Sequence, residues 1–474
     1  MSNINNIMDQ GKMALAANQM GLATTSHNIS NKDTKGYSRQ RVDFESADPI
    51  NKGGHRVGGG VRVGAVRRSH SDFVARRIEQ EKANFGKFES TSEILQQLEG
   101  IFADDAKLGV TAAVSQFFNN IRTLSSQPES VSLRAAVRES ADAIVSRFHN
   151  IKGAIGEVVD DADRRIEGGI VDVNATLSRI ATLNKRIMNI EADKKSFAND
   201  ERDSRDLALQ DLSKHFNIRV ADIENGGVNV FVDGIGPVVN GVETLSFETF
   251  RGNDSSNVGS MKVFVRDPTT NRIMDRTDKI KGGQIGGLIE VRDNSIIELK
   301  GKIDQLAYAL GNSVNGVHSQ AFTHDGTTGI NFFSGVDSVD GAADALQLSG
   351  DIKGDLKNIA TGFNANSAGD NRALLGIADL QESKILDGGN ASFTEFSSGA
   401  IGALGVEART AYQGLDTQQG VMDQLGVLRE QASGVSLDEE AMNMLKFQKG
   451  FDASAKLIQV ADSMMETVLS LKRF

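Results

Sequence analysis

Two apolar stripes, one at each end of the chain, limit its fold more than anything between them. Near the N-terminus Met8, Leu15, Leu22 and Ile29 recur every seventh residue. At the C-terminus Met444, Phe447, Phe451, Ser454, Ile458, Ala461, Met465 and Val468 alternate spacings of three and four. That is the a/d pattern of a helix that seams against another helix. Neither stripe is wide enough to bury itself, so each needs a partner: the other end of the chain or a neighbouring copy. A chain that offers both termini for pairing has the character of an assembly subunit.

Between the ends the apolar period stays helical over long distances. Ile94, Leu95, Leu98, Ile101 and Phe102 continue, after a break near Gly109, as Val114, Phe117, Phe118, Ile121 and Leu124, and Pro128 closes the run. A second run from about Leu133 to Ile187 contains no proline and would reach roughly 80 Å as one helix. Only four prolines stand against 49 glycines in 474 residues, so long helices are permitted and turns are abundant. From Phe216 to Gly283 the period becomes that of strands: Ile218–Val220, Val228–Val232 and Met261–Val265, punctuated by Gly226-Gly227, Asp233-Gly234 and Asp267-Pro268. Helix resumes over Ile289–Val317. A glycine-rich stretch from 318 to 370 follows, with Leu346-Gln-Leu348 as its best strand.

Asn28–Arg41 ends the first helix and runs extended, and the valines and glycines of 51–70, among them Gly53 and Gly54, read as a short hairpin or an extended linker. Ser436 and Glu439 stand three apart as a capping box, which starts the last helix at about Leu437. The expected class is therefore α+β: elongated, with terminal coiled-coil helices and a long helical bundle carrying an inserted β-rich domain. The expected units are 1–55 with 433–474, 56–210 with 284–432, and the β insertion 211–283.

Chemistry is sparse. The chain has no cysteine, which removes disulfides, thiolate nucleophiles and thiolate metal sites. Seven histidines are scattered without an HExxH or a carboxylate-flanked pair, and satisfied or exposed side chains are expected for them. No GxSxG elbow, P-loop or GxGxxG occurs, and Asp160, Asp161 and Asp163 read as a solvated helix face. No catalytic residue, cofactor or metal is expected. A formal charge of −11 argues against nucleic acid, and no apolar run reaches the ~20 residues of a membrane span. The first residues lack the basic and apolar regions of a cleaved signal, so the expectation is export by another route. Seven basic residues between Asn51 and Arg77 (Lys52, Arg56, Arg62, Arg67, Arg68, Arg76 and Arg77), against Asp72 alone, read as a solvated loop and strand face or as a surface for an acidic neighbour.

Three segments carry a resemblance. Ser26-His-Asn28-Ile-Ser-Asn31-Lys-Asp-Thr34-Lys-Gly36-Tyr37-Ser-Arg-Gln40 resembles the N-terminal signature of bacterial flagellar axial proteins, the rod, hook and hook-associated family. Its ending Tyr-Ser-Arg-Gln resembles the hook-associated protein 1 branch in particular. Ser433–Met465 is similar to that branch's C-terminal segment, and Gly282-Gly-Gln-Ile-Gly-Gly287 through Arg292-Asp293, with Val314-Asn315-Gly-Val-His318, is similar to its middle. Lys35 stands where proline is usual, and Phe447 and Phe451 where tyrosine or another aromatic is common.

The resemblance implies a structural adaptor ring joining hook to filament, exported by the flagellar type III apparatus and assembled outside the cell. The implied partners are further copies in a homo-oligomeric ring, the hook protein, a second hook-filament junction protein, and an export chaperone at the C-terminal helix. It also implies an inner coiled-coil layer, a middle helical layer and an outer β face. The assembly residues expected on this basis are the two stripes together with Asn28, Asn31, Gly36 and Tyr37. Two alternatives stand beside it: another axial protein (hook, rod or second junction protein), and a secreted coiled-coil adhesin or effector.

Overall fold

The computed structural model describes residues 2–52, 55–102, 109–194, 196–254, 257–267, 271–365, 367 and 369–471; Gly53, Gly54 and Pro268, expected in turns, lie outside them. Helix α1 (Ser2–Ser30) leads into an antiparallel hairpin of β1 (Gln40–Ser46) and β4 (Val61–Arg68), which pairs Gln40 with Arg68 and Ser46 with Val61. Strands β2 (Ile50–Lys52) and β3 (His55–Val57) extend it outward. The valine-glycine stretch is therefore a hairpin, not a linker.

Helix α2 (Asp72–Phe102) follows, then α3 (Val110–Ser126) and α4 (Val131–Ile190). The 60 residues of α4 correspond to about 90 Å at 1.5 Å per residue. Its start is set by Ser130, whose hydroxyl accepts from the Leu133 N–H. Its end comes where Lys194 turns left-handed at φ 58°. Along it, Val137, Ile144, Ile151, Ile155, Ile166, Val173, Ile180 and Ile187 are buried, the one-sided stripe that the sequence displays.

The β-rich insertion lies between α5 (Asn199–His215) and α6 (Gly283–Glu290). It comprises a four-stranded sheet of β5 (Ile218–Asp222), β6 (Val228–Val232), β7 (Gly236–Asn240) and β8 (Glu243–Thr244). Beside it is a three-stranded sheet of β9 (Ser246–Asp254), β10 (Asn257–Arg266) and β11 (Ile273–Asp275). Three polar side chains of α4 bolt these sheets to the helix. The Asn184 amide donates to the Val228 and Gly241 carbonyls (2.8 and 2.6 Å) and accepts from the Val228 N–H. The Asn174 amide exchanges both hydrogen bonds with Phe247 (2.8 and 2.9 Å), and Asp163 accepts from the Met261 N–H at 3.1 Å. Each meets a strand backbone group that burial would otherwise leave unpaired.

Asp163 thereby corrects the reading of its acidic triplet. It is 1% exposed and bonds Arg292 at 2.7 Å, while Asp160 and Asp161 remain on the surface side as ion-pair partners of Arg251 and Arg165. The turn that carries Arg292, Val291–Ser295, is a π-helical bulge between α6 and α7 (Ile296–His318). One extra residue per turn brings the guanidinium under the β insertion, where it also reaches the Met261 carbonyl and Asp293.

The glycine-rich stretch after α7 folds around aromatic packing. Phe117 of α3 lies edge-on to Phe118 and Phe332 at 5.4 and 5.7 Å, with Phe333 and Phe393 against the same cluster. Complete burial of each ring is worth roughly 2–3 kcal/mol. Strand β13 (Gln347–Leu348) forms as expected and pairs with β12 (Phe333–Ser334). After α8 (Arg372–Asp379) come two long helices, α9 (Phe393–Ser433) and α10 (Leu437–Leu471), which pack against α2 and α1 respectively. The complete capping box is at the head of α9, where Ser392 and Glu395 satisfy each other's backbone N–H groups. At Ser436 only half of the expected box exists: its hydroxyl accepts from the Glu439 N–H at 3.5 Å, but the Glu439 carboxylate turns away to Arg39.

Candidate assembly site at the paired termini

The two terminal stripes meet each other within one chain. Helices α1 and α10 run antiparallel, with Gly11 under Ile458, Gly21 under Phe447, and Gly450 beside Asn18. A Cβ on Gly11 would lie 2.7 Å from the Ile458 Cγ1, and one on Gly21 2.7 Å from the Phe447 ring. The large side chains of α10 thus seat in holes made by missing side chains on α1. Ala17 and Ala461 are buried, and Asn18 donates to Ser454 at 3.4 Å. The hairpin leans on this seam, with Phe44 against Phe447 at 6.0 Å and Gln10 donating to the Gly58 carbonyl at 2.7 Å.

Burial at the seam is partial. Met8, Leu15, Leu22, Ile29, Met444, Phe447, Phe451, Ile458, Met465 and Val468 are all half-buried. Opposite the seam, Met442, Leu445 and Val460 are 58–63% exposed, while Leu457, whose Cδ2 would lie 3.0 Å from a Cβ on Gly11, flanks the seam together with Met464 and Leu469. The two readings of the stripes therefore separate by face. The inner row is occupied by the other terminus, and Met442, Leu445 and Val460 on the outer side stay exposed.

At the base of the seam the N-terminal signature ties a polar knot. The Asn28 carbonyl oxygen accepts from the Tyr37 hydroxyl (2.7 Å) and the Gln40 N–H (2.9 Å); its amide donates to the Gln40 carbonyl (2.9 Å) and to Glu440 (3.1 Å). Every donor and acceptor position of that amide is used, which no carboxylate would reproduce. The Tyr37 proton goes to Asn28, so His27 Nδ1, 3.0 Å from the same hydroxyl, is the donor there. Burial, reinforced by Asp200, Asp203 and Glu440, holds the Tyr37 hydroxyl above its ordinary range and keeps it protonated. Asn31 caps the helix end by bonding the His27 carbonyl and Thr34, and Gly36 makes the turn at φ 90°, which favours glycine.

Arg39 closes the knot. Its guanidinium meets Glu440, which is almost fully buried, at 2.6 Å, and also pairs with Glu439; its backbone N–H donates to the Ser433 carbonyl at 2.8 Å. The Ser38 N–H donates to Asp203 on α5 at 2.7 Å, and Arg68 bonds both Asp203 and Asp206. Burial pushes the Asp203 carboxyl up, opposed by Arg68 and the Ser38 N–H, and burial lowers His70 alongside. The signature thus joins α1, the hairpin, the α9–α10 corner and α5 at one point. Asn28, 1% exposed, serves inside the chain and offers no surface to a neighbour.

The basic stretch finds acids within the chain. Arg62 pairs with Glu45 (3.0 Å), Arg67 with Asp43 (3.2 Å), and Arg68 with the buried α5 carboxylates. Arg76 and Arg77 are on α2, not on a strand or loop, and reach Asp222 and Glu81. Arg62 and Arg67 keep 56% and 61% of the side chain exposed, as the solvated-face reading has it, and their acids are in the same chain. Sequence reasoning overlooked Gly11, Gly21, Gly450, Glu440 and Asp203. Glycines recurring inside an amphipathic helix were the available signal for the first three.

The other resembling segments are buried joints too. Gly283 has φ 70° and sits 2.2 Å, as a built Cβ, from the His215 carbonyl, and Gly287 abuts Ser90 and Lys87 of α2. The Asn315 amide accepts from the Phe332 and Phe333 N–H groups (both 2.8 Å) and donates to the Phe333 carbonyl. His318 Nε2 accepts from the Ala360 N–H at 2.9 Å, so its Nδ1 proton goes to the Ile330 carbonyl at 2.7 Å. Burial lowers this imidazole to about 4. Among the described residues no cluster of metal-ligating side chains occurs.

Comparisons with known proteins converge on one family. The sequence profile described as Flagellar hook-associated protein FlgK helical domain matches residues 95–333, and that of the Flagellar basal body rod FlgEFG protein C-terminal matches residues 428–471. Flagellar hook-associated protein 1 of Bacillus subtilis is 25% identical, over 98% of this chain and 97% of its own length. That of Salmonella typhimurium is 22% identical over 99% of this chain and 100% of its own. The solved structure of the flagellar hook junction protein FlgK from Burkholderia pseudomallei superposes with a TM-score of 0.67 at 12% identity, over 76% of this chain and all of that one, and shares the fold. With a helical-domain match spanning half of its length, the chain belongs to the flagellar hook-associated protein FlgK family.

Proposed function

We propose that this chain is the structural adaptor between hook and filament of the bacterial flagellum, assembled as a homo-oligomeric ring through its terminal helices. The observation that carries the reading is the outer side of α10, where Met442, Leu445 and Val460 hold large apolar side chains 58–63% exposed, on the side of the helix opposite the seam. A solvent-facing helix surface of that kind is a helix-docking surface. The family is one of structural flagellar proteins, not of enzymes. The same row suits an export chaperone before assembly and neighbouring copies, the hook protein and the second junction protein afterwards.

No helix among the described residues is long and apolar enough to cross a membrane, in keeping with an extracellular subunit delivered by the flagellar type III apparatus. The unit division proposed with this role is a terminal stem (1–55 with 433–474), a helical middle (56–210 with 284–432) and the β insertion (211–283), with the β1–β4 hairpin running across the first boundary. The test is deletion of the gene and inspection of the flagella. Hooks without filaments, with filament subunit lost to the medium and restoration by the intact gene, are expected; normal filaments in the deletion strain would overturn the proposal.

A further inference from the structure

A ring of identical copies needs two different complementary patches on each copy, because the same patch facing itself closes at a dimer. The described surface carries such a pair. Helices α2 and α9 run antiparallel, locked where the Gln418 amide bonds the Glu81 carboxylate (2.6 Å) and where Phe88 covers Gly414. Toward the signature knot they part around a groove of about 590 Å³, lined by Phe73, Arg76, Arg77, Val421, Leu425 and Leu428. Phe73 is 78% exposed, and the two arginines are more than half exposed although each already touches a carboxylate. The groove is concave, apolar and basic.

The head of α10 is its counterpart. Leu437, Met442 and Leu445 are 44%, 63% and 60% exposed, and Asp438 stands in the same first turn, next to Glu439, which Arg39 already pairs. Asp438, Met442 and Leu445 share one helix face by their spacing. That surface is convex, apolar and acidic.

We propose that the α2–α9 groove of one copy receives the α10 head of the next copy, with Met442 and Leu445 against Phe73 and Leu428, and the acidic first turn against Arg76 and Arg77. The contact is a helix in a groove, heterologous, and therefore able to close a ring. It rests on the ring reading above.

The cysteine-free sequence allows a direct test. Two single-cysteine chains, Gln424→Cys and Leu445→Cys, are co-expressed in the deletion strain, intact flagella are oxidised, and the products are separated without reductant. A cross-linked dimer that forms only when both chains are present is expected, and Arg76→Glu with Arg77→Glu should reduce its yield several-fold. Filaments restored by the two chains without that dimer overturn the contact and leave the junction role intact. An equal dimer from a Val171→Cys chain, exposed on α4 and outside the groove, paired with Leu445→Cys also overturns it. If the unmutated chain restores no filaments, the junction role itself fails and the contact falls with it.

Discussion

Asp163→Ala tests whether the β insertion is held to the long helix by a buried ion pair. Arg292 and Asp163 are 2% and 1% exposed at the side chain, and the same carboxylate accepts the Met261 N–H. Removing it leaves a buried N–H unpaired, at about 1–3 kcal/mol, and takes one anion from a buried guanidinium, at about 3–5 kcal/mol. Asp293 still grips Arg292 through two bonds of 2.7 and 2.9 Å, which offsets part of the loss and leaves a net cost of about 3–4 kcal/mol. Unfolding entropy near 2.1 cal/mol/K per residue gives roughly 0.5 kcal/mol/K for the matched helical domain, residues 95–333, which holds Asp163, Met261 and Arg292, so the melting midpoint should fall by about 6–8 °C. The assay is thermal melting followed by circular dichroism on the purified chain. Asp160→Ala, which removes an exposed partner 3.7 Å from Arg251, should move the midpoint by less than about 1 °C. Asp163→Leu combined with Arg292→Met should recover much of the loss, because a matched apolar pair replaces the ion pair. Equal midpoints for Asp163→Ala and Asp160→Ala would refute the reasoning.

Three further outcomes are expected. Glu440→Ala should loosen the stem by about 2–3 kcal/mol, raising hydrogen exchange in α1 and α10 roughly 100-fold, whereas Glu439→Ala, whose carboxylate is 54% exposed, should change it little. His318 is held at about 4 in the fold against 6.5 unfolded, so its contribution to stability is complete above pH 6.5 and is lost as pH falls toward 4; the wild-type midpoint should drop across that window and His318→Gln should flatten the drop. Arg68→Glu should destabilise the junction of hairpin and α5, because it places a third carboxylate against Asp203 and Asp206, while Arg62→Glu on the exposed hairpin face should melt within about 1 °C of wild type.

Much of the fold was legible because its longest elements obey one period. The helical runs from Ile94 to Leu124 and from Leu133 to Ile187, the strands at 218–220, 228–232 and 261–265, and the helix start at Leu437 follow from apolar spacing and turn residues. What was hidden depends on contacts between distant residues. Asp163 looks like its neighbours Asp160 and Asp161 until Arg292 arrives on a π bulge 129 positions away. Glu439 fits a capping box locally, and Arg39, 400 positions earlier, outcompetes the local bond. The arginines of the hairpin looked unneutralised because acids such as Asp203 and Asp206 lie on α5. At the terminal site the stripes themselves were readable, but the division into an inner and an outer face required the register that Gly11, Gly21 and Gly450 impose.

That division is the account's central claim, and Val460→Asp addresses it most directly. Ile458 is seated against Gly11 within the chain, so a charge there would disturb the stem itself. Val460 is 58% exposed on the outer row, so Asp at this position should leave the melting of the purified chain within about 0.5 kcal/mol of wild type. On assembly the same carboxylate would be enclosed by neighbouring helices at a cost of several kcal/mol. Incorporation into flagella, measured against Lys456→Asp in the deletion strain, should therefore fail for Val460→Asp and proceed for the control. Normal incorporation of Val460→Asp would contradict the assignment of the outer row as the assembly surface.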